Sequence, residues 1–172
     1  MVIIKKEKYI LRRWKPEDAE SLAKYINNKK IWDNCRDGLP YPYTLQDANA
    51  FIAHVTSNSF NSEYCIEVNG EAVGNIGFII GTDVERFSAE IGYWIAEQFW
   101  NKGYMTNALE HAIDHFFSTT NVIRIYAKVY VSNEASICLL KKVGFTMKCI
   151  FSKAAFKNGQ FTDMFYFEKI KE

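Results

Sequence analysis

The stretch Ala89-Glu90-Ile91-Gly92-Tyr93-Trp94-Ile95-Ala96-Glu97-Gln98-Phe99-Trp100-Asn101-Lys102-Gly103-Tyr104-Met105-Thr106-Asn107 decides how this sequence is read. Residues 89–95 read as a buried strand, 96–99 as a short turn, and 100–107 as a glycine-containing entry into an amphipathic helix. A strand that hands the chain to a helix N-terminus makes an anion site. The first-turn N–H groups have no intrahelical acceptor, and the helix dipole is positive there. The expectation is a bound phosphate or pyrophosphate at 101–106.

Downstream, the helix runs from about Tyr104 to Phe117, and Arg124 to Val131 is a strand. With the helix as a crossover, that strand lies parallel to its neighbour. Ala135 to Lys142 is a second helix stopped by Gly144 as a C-cap, and Phe145–Phe156 and Phe161–Ile170 are strands joined by an Asn158-Gly159 turn. Upstream, Tyr64–Val68 and Ala72–Ile80 form a hairpin about Asn69-Gly70, with Asn58–Ser62 as a polar break before it. The chain opens with a strand at Tyr9–Trp14 and a helix entered at Pro16, with Glu17 and Asp18 at its positive end. Thr44-Leu45-Gln46-Asp47 reads as a capping box ahead of Leu45, Ala48, Phe51, Ile52 and Val55 at helical spacing. Between these two helices, residues 29–43 form a long irregular segment in which Pro40 and Pro42 alternate with Tyr41 and Tyr43. Such a loop either lines a binding site or packs its own aromatics over the core. The order is β-α-α-β-β-β-α-β-α-β-β: mixed α/β (α+β), one domain over 1–172.

Composition narrows the function classes. At 172 residues, 48% of them hydrophobic, the chain buries a core, and 21 Lys and Arg against 20 Asp and Glu leave a net charge of +1. That balance calls for neither nucleic acid nor an anionic membrane as partner. The four cysteines (Cys35, Cys65, Cys138, Cys149) form no C-x-x-C pair, the N-terminus lacks a signal-peptide apolar run, and no apolar stretch is long enough to span a bilayer. The expectation is a soluble, reduced, cytoplasmic protein, monomer or homodimer.

Two motifs are set aside. Gly74-Asn75-Ile76-Gly77-Phe78-Ile79-Ile80-Gly81 is not G-x-G-x-x-G and lies within a strand, so crowding or bulging in the strand explains its glycines. His111 and His115 are four apart, but they fall with Asp114 opposite the apolar face of Ala108, Leu109, Ala112, Ile113, Phe116 and Phe117, with no glutamate of an H-E-x-x-H site. They read as a solvated face, and no metal is expected. Cys138 reads as a small buried helix residue.

With Asn133-x-x-Ser136 running through Lys142-x-Gly144-Phe145, the chain resembles the GNAT acetyltransferases, in particular their ribosomal-protein-alanine N-acetyltransferase-like branch. The 89–108 stretch and the Leu39-Pro40-Tyr41-Pro42-Tyr43-Thr44 loop ahead of Asp47-Ala48 carry the rest of the likeness. It spans nearly the whole chain. It implies the GNAT fold, a central, mostly antiparallel twisted sheet splayed at its fourth and fifth strands with helices on both faces. It implies acetyl-CoA as co-substrate, no metal, and direct transfer of acetyl to a primary amine of a peptide or small molecule. By the same resemblance, amides of Trp94, Ile95 and Ala96 hold the pantetheine and polarise the thioester carbonyl. Asn101, Lys102, Gly103, Tyr104, Met105 and Thr106 hold the pyrophosphate, and Asn133 bonds the pantetheine arm. Glu90 matches the strand glutamate that serves as general base in some members. Asn34, Arg36, Asp37, Tyr41 and Tyr43 are acceptor-site candidates.

The departures are specific. The family loop is Q/R-x-x-G-x-G/A; here Trp100 and Met105 stand at its first and last positions, and Asn101 and Asn107 replace the Gly and Glu often seen in this branch. Leu140 stands where the family often has a general-acid tyrosine, which leaves Ser136 as the hydroxyl of that motif. Leu140 and Met105 keep a second reading open, a CoA-binding module without catalysis.

Overall fold

A buried arginine organises the N-terminal end. The structure, a computed structural model, describes residues 1–57 and 62–171. Strand β1 (Val2–Lys5) pairs antiparallel with β2 (Ile10–Arg13). Arg12 of β2 is 2% exposed, and Asp18, in the 3-10 turn that follows, 5%. The Arg12 guanidinium donates to both Asp18 oxygens, at 2.7 and 2.8 Å, and to the Glu67 carboxylate. Asp18 Oδ2 also accepts the Lys15 N–H at 2.9 Å. Burial alone would lower the arginine's pKa, but these hydrogen bonds outweigh it and hold the group above its ordinary value. Such a pair repays its desolvation only when, as here, its donors and acceptors are satisfied.

The chain continues through α1 (Ala19–Ile26), α2 (Lys29–Trp32), α3 (Leu45–Ser57), β3 (Glu63–Val68), β4 (Glu71–Ile80), β5 (Ser88–Ile95), α4 (Tyr104–Thr119), β6 (Arg124–Tyr130), α5 (Glu134–Lys142), β7 (Thr146–Lys157) and β8 (Gln160–Ile170). The sheet runs β1-β2-β3-β4-β5-β6-β8-β7, with β5 and β6 parallel. The expected order is present with two additions. β1 is a four-residue strand whose bonds come from β2, and α2 folds the start of the segment read as irregular. The polar break at 58–61 lies outside the described residues.

Two compact units are distinguished, Met1–Gly77 with Tyr93–Ala112, and Phe78–Gly92 with Ile113–Glu172. In the first, α1 and α3 bury Ala19, Leu22, Ile26, Ala48, Ile52 and Val55 in a core with Trp14, Ile31, Tyr43, Cys65 and Ala72. The capping box forms as read: the Thr44 N–H donates to Asp47 Oδ2 at 2.8 Å, and the Asp47 N–H to Thr44 Oγ1 at 3.2 Å. The β4 glycines answer to crowding. A Cβ at Gly74 would lie 2.7 Å from the Trp94 carbonyl oxygen, and one at Gly77 2.2 Å from the Glu63 carboxylate. Glu63 Oε2 accepts from Asn75 Nδ2 at 2.6 Å, and Asn75 Oδ1 accepts from Trp14 Nε1 at 2.8 Å.

In the second unit, β5 and β6 pair from Ser88↔Arg124 to Glu90↔Tyr126, and β8 lies antiparallel between β6 and β7. Phe78 and Phe116 stack 4.0 Å apart. α5 ends as read, with Gly144 at φ +86°, Gly144 N–H to Lys141 C=O at 3.2 Å and Phe145 N–H to Leu140 C=O at 3.0 Å. This is a Schellman motif, and its apolar pair, Leu140 and Phe145, is buried. On α4 all six residues read as the apolar face are buried.

Asp18→Ala, which strands the buried guanidinium, is expected to cost about 3–5 kcal/mol in urea unfolding; a loss below about 1 kcal/mol would show that the pair does not hold this end. Burial raises the Glu63 pKa above its ordinary 4.5, against the downward pull of Asn75 and His54. A raised carboxyl contributes stability that is present below its unfolded pKa and lost as pH rises through the folded value. Glu63→Gln should therefore be more stable than the parent chain at pH 7 and lose that advantage by about pH 4, read by urea titration.

Candidate active site

Two hydrogen bonds fix the end of β5. The Ala96 N–H donates to the Val73 carbonyl at 2.8 Å, and the Trp100 indole Nε1 donates to the Ile95 carbonyl at 2.7 Å. Between them the chain makes a 3-10 turn, Glu97–Phe99, whose Glu97 carboxylate accepts from Asn28 Nδ2 at 2.8 Å and from the Lys30 ammonium. One expectation is corrected here. The Ala96 amide has a single hydrogen and gives it to β4, so it has none for a pantetheine arm. Backbone N–H groups alternate sides along a strand. Of the three amides expected to act, Ile95 is thus the one directed away from β4. Trp100, at the first position of the loop, is a brace for the strand end.

The turn into α4 has Asn101 at φ +58° and Gly103 at φ +79°, both left-handed. Left-handed residues alternating with right-handed ones turn successive N–H groups into an anion-binding hollow. The helical ladder opens with Asn107 N–H to Gly103 C=O at 3.2 Å, so the preceding amides lie ahead of it. A Cβ at Gly103 would meet open space. Met105 and Ala108 are buried, so the bulky side chain at the last loop position points into the core rather than over the turn. These features fit the pyrophosphate of coenzyme A.

Asn133 caps α5, its Oδ1 accepting the Ser136 N–H at 3.1 Å. The amide nitrogen is then the part of Asn133 left to the expected pantetheine contact. Ser136 is half-buried, and Leu140 is a fully buried core residue. Cys138, read as buried, is exposed.

Glu90 is half-buried at the last rung of the β5–β6 register, opposite Tyr126. Its Oε2 lies 3.4 Å from Lys128 Nζ. The Tyr126 ring stacks on Tyr166 at 5.2 Å and 14°, and the Arg124 guanidinium sits over both rings while donating to the Tyr166 hydroxyl at 2.8 Å and to Glu168 at 2.9 Å. Burial, and then the nearby Glu90 charge, raise the Tyr126 pKa. Sequence reading missed Arg124, Tyr126, Lys128 and Tyr166. The signal for the first three was the alternation in Arg124-Ile-Tyr-Ala-Lys-Val-Tyr130, whose polar residues share the face opposite buried Ile125, Ala127 and Val129.

The acceptor candidates divide. Tyr43 is corrected to a core residue: its ring is 6% exposed, and its hydroxyl is pushed up to about 12 by burial, with a further rise from Asp47. Asn34 is exposed, its Nδ2 donating to the Lys30 carbonyl at 2.9 Å. Arg36 and Asp37 are exposed, and Tyr41 lies against Trp32 at 5.7 Å, with the Trp32 indole donating to the Leu39 carbonyl at 2.8 Å. On α4, His111 is not simply solvated, since its Nδ1 lies 2.8 Å from the Tyr9 hydroxyl. Among the described residues no group of three or more His, Cys, Asp or Glu could hold a metal, and no helix is long and apolar enough to cross a membrane.

Residues 8–146 match the acetyltransferase (GNAT) domain family. Relatives include a putative ribosomal N-acetyltransferase of Bacillus subtilis, YdaF, 32% identical over 96% of this chain and 92% of its own. The spermidine N(1)-acetyltransferase of Escherichia coli is 27% identical over 88% of this chain and 80% of its own. The fold is shared with RimL, a ribosomal L7/L12 alpha-N-protein acetyltransferase solved with coenzyme A, at TM-score 0.88 and 21% identity over 99% and 98% of the two chains. The chain belongs to the GNAT family. It is an acetyl-CoA-dependent N-acetyltransferase.

Gly103→Ala places a side chain at φ +79° and a methyl group in the anion hollow. It is expected to raise KM for acetyl-CoA about tenfold, equivalent to ~1.4 kcal/mol. An unchanged KM in steady-state thiol release would remove this turn from the cofactor site.

Proposed function

We propose that this enzyme acetylates a primary amine, a protein N-terminal α-amine or a small-molecule amine, in a ternary complex, within a single domain over 1–172. The observation that carries the reading is the strand-to-helix turn at 95–107, where a pinned strand end runs directly into an anion-binding hollow. Relatives support the acceptor class. The names of two of them specify spermidine and ribosomal-protein serine, the latter an Escherichia coli enzyme 29% identical over 88% of this chain and 87% of its own. We place the enzyme in the cytoplasm, as a monomer or homodimer.

Acetyl-CoA supplies an acetyl group activated as a thioester. The protein's part is alignment, charge stabilisation and proton movement. The amides of 101–106 hold the pyrophosphate, Asn133 Nδ2 holds the pantetheine, and the Ile95 N–H polarises the thioester carbonyl. Glu90 takes a proton from the ammonium, directly or through water. The neutral amine nitrogen then bonds to the carbonyl carbon as the carbon–sulfur bond breaks with its electron pair leaving on sulfur. The nitrogen then gives up its second proton, which passes through the Ser136 hydroxyl to the leaving sulfur, and Glu90 returns the first proton to water. The products are the acetylated amine and the CoA thiol. The non-catalytic reading is disfavoured by the relatives, two of which are named for the amines they acetylate.

Incubation with acetyl-CoA and a panel of peptide N-termini, polyamines and aminoglycosides should give acceptor-dependent thiol release. Glu90→Gln should lower kcat at least about 100-fold at neutral pH and flatten the acid limb of the pH–rate profile. Stabilisation by CoA with no acceptor-dependent release across the panel would sink the reading.

A further inference from the structure

We propose that Lys128 is a site of self-acetylation, its ε-amine taking the acetyl group when no other amine is present. The inference rests on the reading that Glu90 is the base for the acetyl-accepting nitrogen, and adds an acceptor carried by the chain itself. Arg124, Tyr126 and Lys128 alternate along β6 with buried Ile125, Ala127 and Val129, so they share the face away from that core. Glu90 is in register with Tyr126 on the parallel neighbour β5, which puts it on the same face. The ladder between these strands runs from Ser88↔Arg124 to Glu90↔Tyr126, and Gly92 and Lys128 follow that last rung on the same face.

The geometry delivers an amine to the base. Lys128 Nζ lies 3.4 Å from Glu90 Oε2 and 5.5 Å from the centre of the Tyr126 ring. Space beside it is open: Gly92 is exposed, and a Cβ there would meet no atom within 4 Å. The two cations of this face are held differently. Arg124 donates to Glu168 at 2.9 Å and to the Tyr166 hydroxyl at 2.8 Å, and a guanidinium keeps its proton. The Lys128 side chain is 42% exposed on a flexible stem, and its contact with Glu90 is longer than the roughly 2.7–2.9 Å of a firm charge-assisted bond. An exposed pair of this kind contributes little to stability, so fold stability gives small reason to keep a lysine here. The ammonium also leaves its seat readily once it has lost a proton. Lys24 and Lys30 are more exposed, at 59% and 67%, but they pair with Glu71 and Glu97, carboxylates with no part in the reaction.

The step balances. Glu90 takes a proton from the Lys128 ammonium, and the neutral Nζ bonds to the thioester carbonyl carbon as the carbon–sulfur bond breaks with its electron pair leaving on sulfur. The nitrogen's second proton passes to sulfur, giving the CoA thiol, and Glu90 returns the first to water. The product is an Nε-acetyl-lysine that stays attached, so the reaction stops after one turnover per chain. It replaces the cation facing Glu90 with a neutral amide.

Peptide mass spectrometry after incubation of the full chain with acetyl-CoA and no acceptor reads the modification. Occupancy at Lys128 should exceed that at Lys24 and Lys30, which report nonspecific acetylation, at least about tenfold. Its rate should not depend on protein concentration. Glu90→Gln, checked for folding by its acetyl-CoA thermal shift, should lower Lys128 occupancy at least about tenfold and leave Lys24 and Lys30 as they were. Lys128→Arg keeps the charge, takes no acetyl group, and should lose the acceptor-independent thiol release of the parent. Occupancy at Lys128 no higher than at Lys24 and Lys30, occupancy unchanged in Glu90→Gln, or a rate proportional to protein concentration overturns the assignment. A parent protein that releases thiol with an added acceptor and leaves Lys128 unmodified overturns self-acetylation alone. Failure of the enzymatic reading shows separately, as absence of acceptor-dependent thiol release across the acceptor panel.

Discussion

The bond from the Trp100 indole to the Ile95 carbonyl is the constraint on which the turn into α4, the proposed cofactor site, depends. A strand ordinarily frays where its partner stops, and its last carbonyls turn to water. Here the Ala96 amide is tied to Val73 on one side, and the Ile95 carbonyl to an indole five residues further on. The 3-10 turn between them is closed by Phe99 N–H to Ala96 C=O at 2.9 Å. The left-handed residues Asn101 and Gly103 therefore start from a fixed point, and the first turn of α4 is presented in one orientation. A hollow of backbone amides binds an anion well only when it is already formed, because otherwise ordering the loop consumes the interaction. Met105 completes the device from inside, its side chain anchoring the helix start to the core.

In the first unit, polar groups stand among buried apolar ones. The Arg12–Asp18–Glu67 cluster and the Trp14–Asn75–Glu63 chain lie on β2, β3, β4 and the turn after β2, within one unit. They differ in kind. The first matches a buried cation with two carboxylates and is a closed structural unit. The second directs the Asn75 amide at the Glu63 carboxylate, whose burial raises its pKa. Removing a partner from the first strands a charge, whereas removing the charge from the second relieves a desolvated group.

Much of this was legible in the sequence wherever a short-range rule operates. Asn69-Gly70 and Asn158-Gly159 are turns with both residues at positive φ. Thr44 and Asp47 bond reciprocally, Gly144 closes a Schellman motif, and the apolar face of α4 is the buried one. Each depends on residues within a few positions of one another, so local conformational energetics suffices. β1 escaped because four residues carry no period of their own and gain their bonds from β2. Tyr43 was misplaced because tyrosine suits a binding loop and a core equally, and only the packing of α1 against α3 decides between them.

The sequence by itself determined the class of protein: a strand feeding a glycine-containing helix start, the Asn133–Phe145 motif and the element order. It did so because the anion binding proposed for that turn uses backbone amides, which need conformation rather than particular side chains. The tertiary structure decided which groups are available to act. It gave the Ala96 amide to β4, turned Met105 and Leu140 inward, set Glu90 beside Lys128 and Tyr126, and brought Glu63 to Asn75 and Trp14. A hydrogen-bond donor can be spent once, and a side chain has one direction. Both are settled by neighbours distant in sequence.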